Sequence, residues 1–207
     1  MSQLFQIHPV NPQPRLIRQA VGILRAGEVI AYPTDSSYAL GCELGNKGAM
    51  ERIRAIRQFD RDHNFTLVCR DLSEIASYAR VANSQYRLLR NATPGPYTLI
   101  LRATREVPRR LQHPRRKTIG IRIPEHTIVR ALLDELGEPL MSSTLILPGD
   151  DLPLNDAEEI RERLEHDIGL VIDGGPCPAE PTTVVDLVEE GEPRIVRQGR
   201  GDPGLFL

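Results

Sequence analysis

The chain has no tryptophan, only 4% aromatic residues and only three cysteines among 207 residues. With so few rings, a core of this size has to be packed from Leu, Ile, Val and Ala. Cys42, Cys69 and Cys177 are odd in number and far apart, and no C-x-x-C occurs. That spacing excludes a zinc knuckle and a redox dithiol. Cys42 and Cys69 lie in apolar runs and read as small core residues of a reducing compartment. No apolar run approaches the ~20 residues that span a bilayer. The opening MSQLFQIHPVNPQPR has neither the basic nor the apolar stretch of a signal peptide. A cytoplasmic protein without a membrane partner is the expectation.

Chemical motifs are missing too. There is no G-x-x-x-x-G-K-[ST], which excludes a P-loop NTPase, and no G-x-S-x-G elbow. The late GRGDPG does not lead from a strand into a helix, so it is no dinucleotide fingerprint. The histidines show no pair at metal-ligand spacing, and no metal site built from protein alone is expected. Nothing marks a covalent serine or cysteine nucleophile. Lysine is nearly absent: of 26 basic residues only Lys47 and Lys117 are not arginine. A base-composition bias accounts for most of that excess, but arginine also supplies a planar fork suited to phosphate and carboxylate.

The net charge of −2 hides a strongly polar arrangement along the chain. Arg102, Arg105, Arg109, Arg110, Arg115, Arg116 and Lys117 crowd one segment with Glu106 as the single acid. Residues 150–167 carry a matching acidic run. The basic segment lacks interleaved aromatics, so it is a poor stacking platform for single strands. It can grip phosphates by charge, or serve as a solvated loop.

Periodicity predicts an alternating series of helices and strands. A first helix starts after Asn11 with Pro12 leading it, carries Leu16, Ile17, Ala20 and Leu24 on one face, and stops at Gly27. Strands follow over residues 28–32 and 38–42, a helix over 47–58 and a strand over 65–69. Asp71 to Glu74 forms a capping box, and Asn83 caps a further short helix. Strands over 97–101 and 118–123 precede a helix with the stripe Ile128, Val129, Leu132, Leu133 and Leu136, which ends at Gly137. A strand over 140–144, a charged helix over 156–166 and strands over 170–173, 183–187 and 194–196 complete the chain. Strands that follow one another without a helix between them favour a twisted sheet of mixed parallel and antiparallel strands with helices on its faces, in one α/β domain over residues 1–207.

Several strand ends carry small hydroxyl side chains. Pro33-Thr34-Asp35-Ser36-Ser37 follows the first run of strand residues, Ser142-Ser143-Thr144 ends another, and Thr182-Thr183 opens a third. Each alone reads as a turn or a strand end. Arg57 at a helix end, Arg122 inside an apolar strand and Arg197 after the last strand are distributed among them. A charge in a buried strand has to find a partner, either a structural Asp or an anionic ligand. Hydroxyl clusters with three separate guanidinium groups suit a ligand that carries several phosphates. His63, in the polar loop after Arg57, joins that group only as a lone imidazole.

The segments PTDSSYALGC, RQ…HNFTLVCRD, TPGPYTLIL, TIGIRIP, GEPLMSST and PTTVVDL…RIVRQG fall in the order found in the YrdC/YciO family. The resemblance spans the first helix to about Gly199 and is closest to the YciO branch. It implies the YrdC-like twisted fold with a positively charged concave groove, and binding of nucleotide and of double-stranded RNA or tRNA. The enzymes of the family make threonylcarbamoyl-AMP from L-threonine, bicarbonate and ATP with Mg²⁺, for tRNA modification. Carried over, Thr34 and Arg122 face threonine. Arg57, His63, Ser142, Thr144, Thr182, Thr183 and Arg197 line the nucleotide and phosphate side. An RNA-binding role falls on Arg105, Arg109, Arg110, Arg115, Arg116 and Lys117. The synthases carry K-x-R and S-x-N where this chain reads Arg57-Gln58-Phe59 and Ser142-Ser143-Thr144. One cation and one amide are lost, so weak or altered turnover is expected. The alternative is an RNA-binding module without catalysis.

Overall fold

A computed structural model describes residues 1–58 and 65–206. The strands are β1 (Gln3–Gln6), β2 (Ile30–Tyr32), β3 (Ala39–Glu43), β4 (Thr66–Val68), β5 (Ala79–Arg80), β6 (Tyr97–Ala103), β7 (Thr118–Arg122), β8 (Leu140–Thr144), β9 (Leu170–Asp173), β10 (Thr183–Asp186) and β11 (Arg194–Arg197). The helices are α1 (Pro14–Arg25), α2 (Lys47–Arg57), α3 (Leu72–Tyr78), α4 (Asn83–Ala92), α5 (Thr127–Leu136) and α6 (Ala157–Leu164). Among the described residues the strands form one mixed sheet in the order β1-β9-β2-β3-β8-β4-β7-β6-β10-β11, with β5 on β6. The mixed α/β architecture expected from the sequence is the one observed.

Local chemistry sets most element boundaries. Helix α1 begins at Pro14, two residues later than expected, with its missing N–H at a position where none is needed. Asn46 caps α2, accepting from Ala49 N at 3.0 Å. Asp71 caps α3, accepting from Glu74 N at 2.9 Å. The Glu74 carboxylate, however, accepts from Arg70 N and not from the cap residue itself. Asn83 turns out to be the first residue of α4 and not its cap; Gln85 accepts from Ala82 N instead. Gly137 ends α5 in the left-handed region at φ 79°. Strands β1 and β5 were not expected, because QLFQ is short and lacks a clean alternation and β5 has only two residues.

Helices α1 and α5 cover one face of the sheet. Ile17, Ala20, Val21 and Leu24 of α1 and Ile128, Val129, Leu132 and Leu133 of α5 close over Ile30, Tyr32, Val68 and Leu140. Each fully buried Leu or Ile contributes on the order of 2 kcal/mol. The remaining helices bury Met50, Ile53, Ile75, Leu89, Ile160 and Leu164 against the opposite face, over Leu40, Leu67, Ile121 and Met141. Paired residues of neighbouring strands point to the same face. The α1/α5 face therefore continues beyond the two helices through the row Gly41, Ser142, Thr66, Gly120 and Ile100. Side chains there change from Leu and Val to Ser, Thr and Gly within single strands: Leu140 to Ser142 on β8, Val68 to Thr66 on β4. The helical cover ends where that change occurs, which leaves a groove on the sheet.

Burial of acidic protons gives a pH dependence. Burial pushes the Cys42 thiol from 9.0 to about 12, Cys177 from 9.0 to about 11 and the Tyr32 phenol from 10.0 to about 12. Each group holds its proton more tightly when folded, so the stabilisation is complete below the unfolded pKa and is lost as pH rises through the folded one. Thermal unfolding followed against pH should show stability that begins to fall near pH 9 and continues downward through about pH 12. A stability that stays level across that interval would contradict these burial assignments.

Candidate functional site

The uncovered part of the sheet forms a groove of about 360 Å³. Its floor is Thr66 of β4, Thr98 and Ile100 of β6 and Gly120 of β7. Gly120 is small for a spatial reason: a Cβ there would stand 3.3 Å from Thr98 Cγ2 and 3.4 Å from Thr66 Oγ1. Four guanidinium groups, those of Arg57, Arg116, Arg122 and Arg197, together with His113, line the walls. Among the described residues no carboxylate lines it.

Helix α2 ends on Arg57, where Gln58 adopts the left-handed conformation and turns the chain. The Arg57 guanidinium donates to the Ile146 carbonyl across the groove, and burial holds its pKa below the usual arginine value. Arg197 donates through Nη2 and Nε to the Thr182 carbonyl at 3.0 and 3.3 Å. Burial lowers its pKa first, and the positive charge of Arg122 lowers it further. Among the described residues no carboxylate forms an ion pair with Arg197, whose side-chain bonds go to Thr182. Thr182 Oγ1 lies 2.8 Å from Thr98 Oγ1, which joins β10 to the floor.

Arg122 meets its requirement for a partner inside the protein. Its Nη2 donates to Asp35 Oδ1 at 2.6 Å and to Ser36 Oγ at 3.1 Å. Both charged side chains are less than 10% exposed. Ser142 Oγ accepts or donates to Tyr32 O–H at 2.7 Å and reaches the Leu40 carbonyl at 3.2 Å. Tyr32 can lie across β3 to reach it because Gly41 has no side chain: a Cβ there would stand 2.7 Å from the Tyr32 ring.

The structure brings Arg57, Arg122, Arg197, Ser142, Thr144 and Thr182 to this one groove. Thr34 and Thr183 stand behind the wall and not on it. Thr34 Oγ1 donates to the Ser37 carbonyl at 2.6 Å and accepts from the amides of Ser36 and Ser37, closing the turn that carries Asp35. Thr183 Oγ1 donates to the Gly201 carbonyl at 2.6 Å and accepts from Gly199 N at 2.9 Å, which fixes the chain just after Arg197. His63 and Phe59 lie outside the described residues.

The basic segment is an excursion between the antiparallel neighbours β6 and β7, tied down by buried Val107 and Leu111. It divides by direction. Arg116 points into the groove rim and donates to Asp186 Oδ2 at 2.5 Å, with His113 beside it. Arg110 turns away and donates to the Gly45 carbonyl near the start of α2. Arg105, Arg109, Arg115 and Lys117 are solvent-exposed. Sequence reasoning missed Asp35 as the partner of Arg122, and it missed Thr66, Thr98, Gly120 and His113 as lining. A single Thr interrupting each of the otherwise apolar runs FTLV and YTLIL was the available signal for Thr66 and Thr98.

Comparison with known proteins agrees with this architecture. The family model Sua5/YciO/YrdC, described as telomere recombination, matches residues 22–199. YciO of Escherichia coli is 56% identical over the full length of both chains, and its crystal structure superposes with a TM-score of 0.96. The threonylcarbamoyl-AMP synthase of Vibrio vulnificus is 30% identical over 161 residues, which cover 76% of this chain and 86% of that protein. The crystal structure of P. abyssi Sua5 complexed with L-threonine superposes with a TM-score of 0.87 at 25% identity, covering 96% of this chain and 58% of that one. No helix among the described residues is long and apolar enough to cross a membrane.

Proposed function

The chain belongs to the Sua5/YciO/YrdC family, and from that membership and the groove we propose that it binds a nucleotide in the cytoplasm, with ATP or AMP as ligand and L-threonine as second substrate. The observation that carries the reading is the convergence of Arg57, Arg122 and Arg197 on a groove that no described carboxylate lines. The half-buried Arg197 guanidinium, with its lowered pKa, is held there at a cost that an anionic ligand would offset. In this reading the phosphates lie between Arg57 and Arg197, and the hydroxyls of Ser142, Thr144 and Thr182 accept or donate around them. Threonine lies toward Arg122. Mg²⁺ would arrive on the phosphates: among the described residues no group of three or more His, Cys, Asp or Glu could hold a metal ion.

The related synthase activity supplies the chemistry to be tested. A carbamate oxygen of N-carboxy-threonine forms a bond to the α-phosphorus, the bond to the bridging oxygen breaks, and pyrophosphate leaves with the electron pair. Only anions meet, so this chain's contribution is positioning and charge stabilisation by its arginines. Thr144 replaces the synthase Asn and Phe59 replaces a synthase cation, which weakens the hold on the transition state. A slow synthase is the expected outcome.

A second reading has its own support. Arg105, Arg109, Arg115 and Lys117 stand exposed on the excursion whose His113 and Arg116 line the groove. That arrangement suits the phosphate backbone of duplex RNA or tRNA. One set of measurements separates the two. Mg-ATP should raise the thermal midpoint, by the equivalent of about 2.7 kcal/mol at one hundred times Kd, and Arg197→Ala should remove most of that shift. Incubation with labelled L-threonine, bicarbonate and Mg-ATP should release pyrophosphate slowly, with the adenylate as partner product. Pyrophosphate at background would rule out the synthase reading. If duplex RNA is the ligand, its affinity should fall with salt, and Arg109→Ala with Arg115→Ala should flatten that slope by about one unit per lost phosphate contact.

A further inference from the structure

Two histidines of the chain make the same local turn. His8 Nδ1 accepts from the amides of Val10 and Asn11 at 3.2 and 3.0 Å. His113 Nδ1 accepts from those of Arg115 and Arg116 at 3.3 and 3.1 Å. Each histidine precedes a proline, Pro9 or Pro114. The turn itself is therefore a structural device. The surroundings separate the two cases: His8 is exposed, whereas His113 is half-buried and lines the groove.

His113 is held from several sides. Its N–H donates to the Thr118 carbonyl at 2.8 Å, and its carbonyl accepts from Lys117 N at 2.9 Å. The preceding Gln112 ties the excursion together, donating through Nε2 to the Val107 carbonyl at 2.8 Å. Two amide donors on Nδ1 leave that nitrogen without a proton, so the proton of the neutral ring sits on Nε2. That N–H is the one polar group of the side chain left over. Among the described residues it has no hydrogen-bond partner, and it is not sealed from the groove.

Arg116 leaves the same turn and donates to Asp186 Oδ2 at 2.5 Å, while the other Asp186 oxygen accepts from Val188 N at 3.0 Å. Asp186 is thus engaged through both oxygens. Thr118, to which His113 is bonded, lies four residues along β7 from Arg122 and on the same face, about 13 Å away at the usual rise of a strand. His113 therefore serves the end of the groove remote from Arg122.

We infer that His113 is a ligand residue of this groove, with its Nε2–H donating to a phosphate oxygen at that remote end. A neutral donor suits the place. It adds a hydrogen bond without adding a fifth positive charge to walls that already carry four guanidinium groups. The identity of the anion rests on the nucleotide reading above; the fixed position of the donor does not.

Two substitutions separate the turn from the donor. Asparagine can place Oδ1 where Nδ1 stands and keep the turn, but it has nothing at the position of Nε2. Glutamine can bring an amide N–H to the position of Nε2, but it loses the acceptor for the two backbone amides. In His113→Asn the thermal midpoint should stay near that of wild type, while affinity for a non-hydrolysable ATP analogue with Mg²⁺ falls by about tenfold, as for a lost hydrogen bond to a charged group. In His113→Gln the midpoint should fall and the affinity should stay within about threefold of wild type. AMP and pyrophosphate locate the oxygen. An equal loss for AMP puts it on the phosphate next to the ribose, an equal loss for pyrophosphate puts it on the terminal pair, and either supports the inference. Unchanged affinity for the ATP analogue in His113→Asn, or an equal loss for adenosine, would overturn it. Should the asparagine variant fail to fold, a loss of about tenfold in His113→Gln would do the same. Wild type that binds pyrophosphate but no nucleotide, with that binding weakened in His113→Asn, sinks the nucleotide reading and leaves His113 in its role. Wild type and His113→Asn that bind the ATP analogue equally do the reverse, and wild type that binds neither anion overturns both.

Discussion

Like charges confined to a half-buried groove are the constraint around which this molecule is arranged. Arg122 and Arg197 are close enough that the charge of one lowers the pKa of the other, and burial lowers both Arg57 and Arg197. Such an arrangement is costly unless each cation has a defined partner. The fold provides them unevenly. Asp35 holds Arg122, and Asp186 holds Arg116. Arg197 leans on the carbonyl of Thr182, which offers a dipole and not charge.

The sheet makes this possible by being unevenly covered. Helices α1 and α5 shield only the part of the face that carries Leu, Val and Ile. Past that edge the same face of the sheet presents Ser142, Thr66, Thr98 and Gly120, side chains small enough to leave a floor and polar enough to meet water or a ligand. The supports lie one layer behind. Tyr32 reaches Ser142 over Gly41, Thr183 anchors the turn after Arg197, and Thr34 closes the turn that carries Asp35. Residues that resemble ligand contacts in sequence act here as the frame for the groups that do face the groove.

Much of this was legible in the sequence and some was not. Strand and helix order followed from periodicity, because long amphipathic stripes such as Ile128 to Leu136 have one solution. The three arginines and the hydroxyl clusters of Ser142 and Thr182 were visible as polar interruptions of apolar strands. What stayed hidden depends on contacts between distant segments. Asp35 lies 87 positions from Arg122, and nothing local distinguishes it from a turn residue. Arg110 and Arg116 sit in the same basic run, yet one reaches the Gly45 carbonyl near α2 and the other Asp186 at the groove rim. Strand β1 was missed because its pairing with β9, and not its own propensity, makes it a strand.

The most direct measurement of the central claim is a crystal structure of the protein soaked with AMP or a non-hydrolysable ATP analogue. Phosphate oxygens should lie within hydrogen-bonding distance of Arg57 and Arg197, over the floor formed by Thr98 and Gly120, with the Asp35–Arg122 pair intact. Nucleotide bound elsewhere on the molecule, or a groove filled only by solvent at saturating ligand, would contradict it.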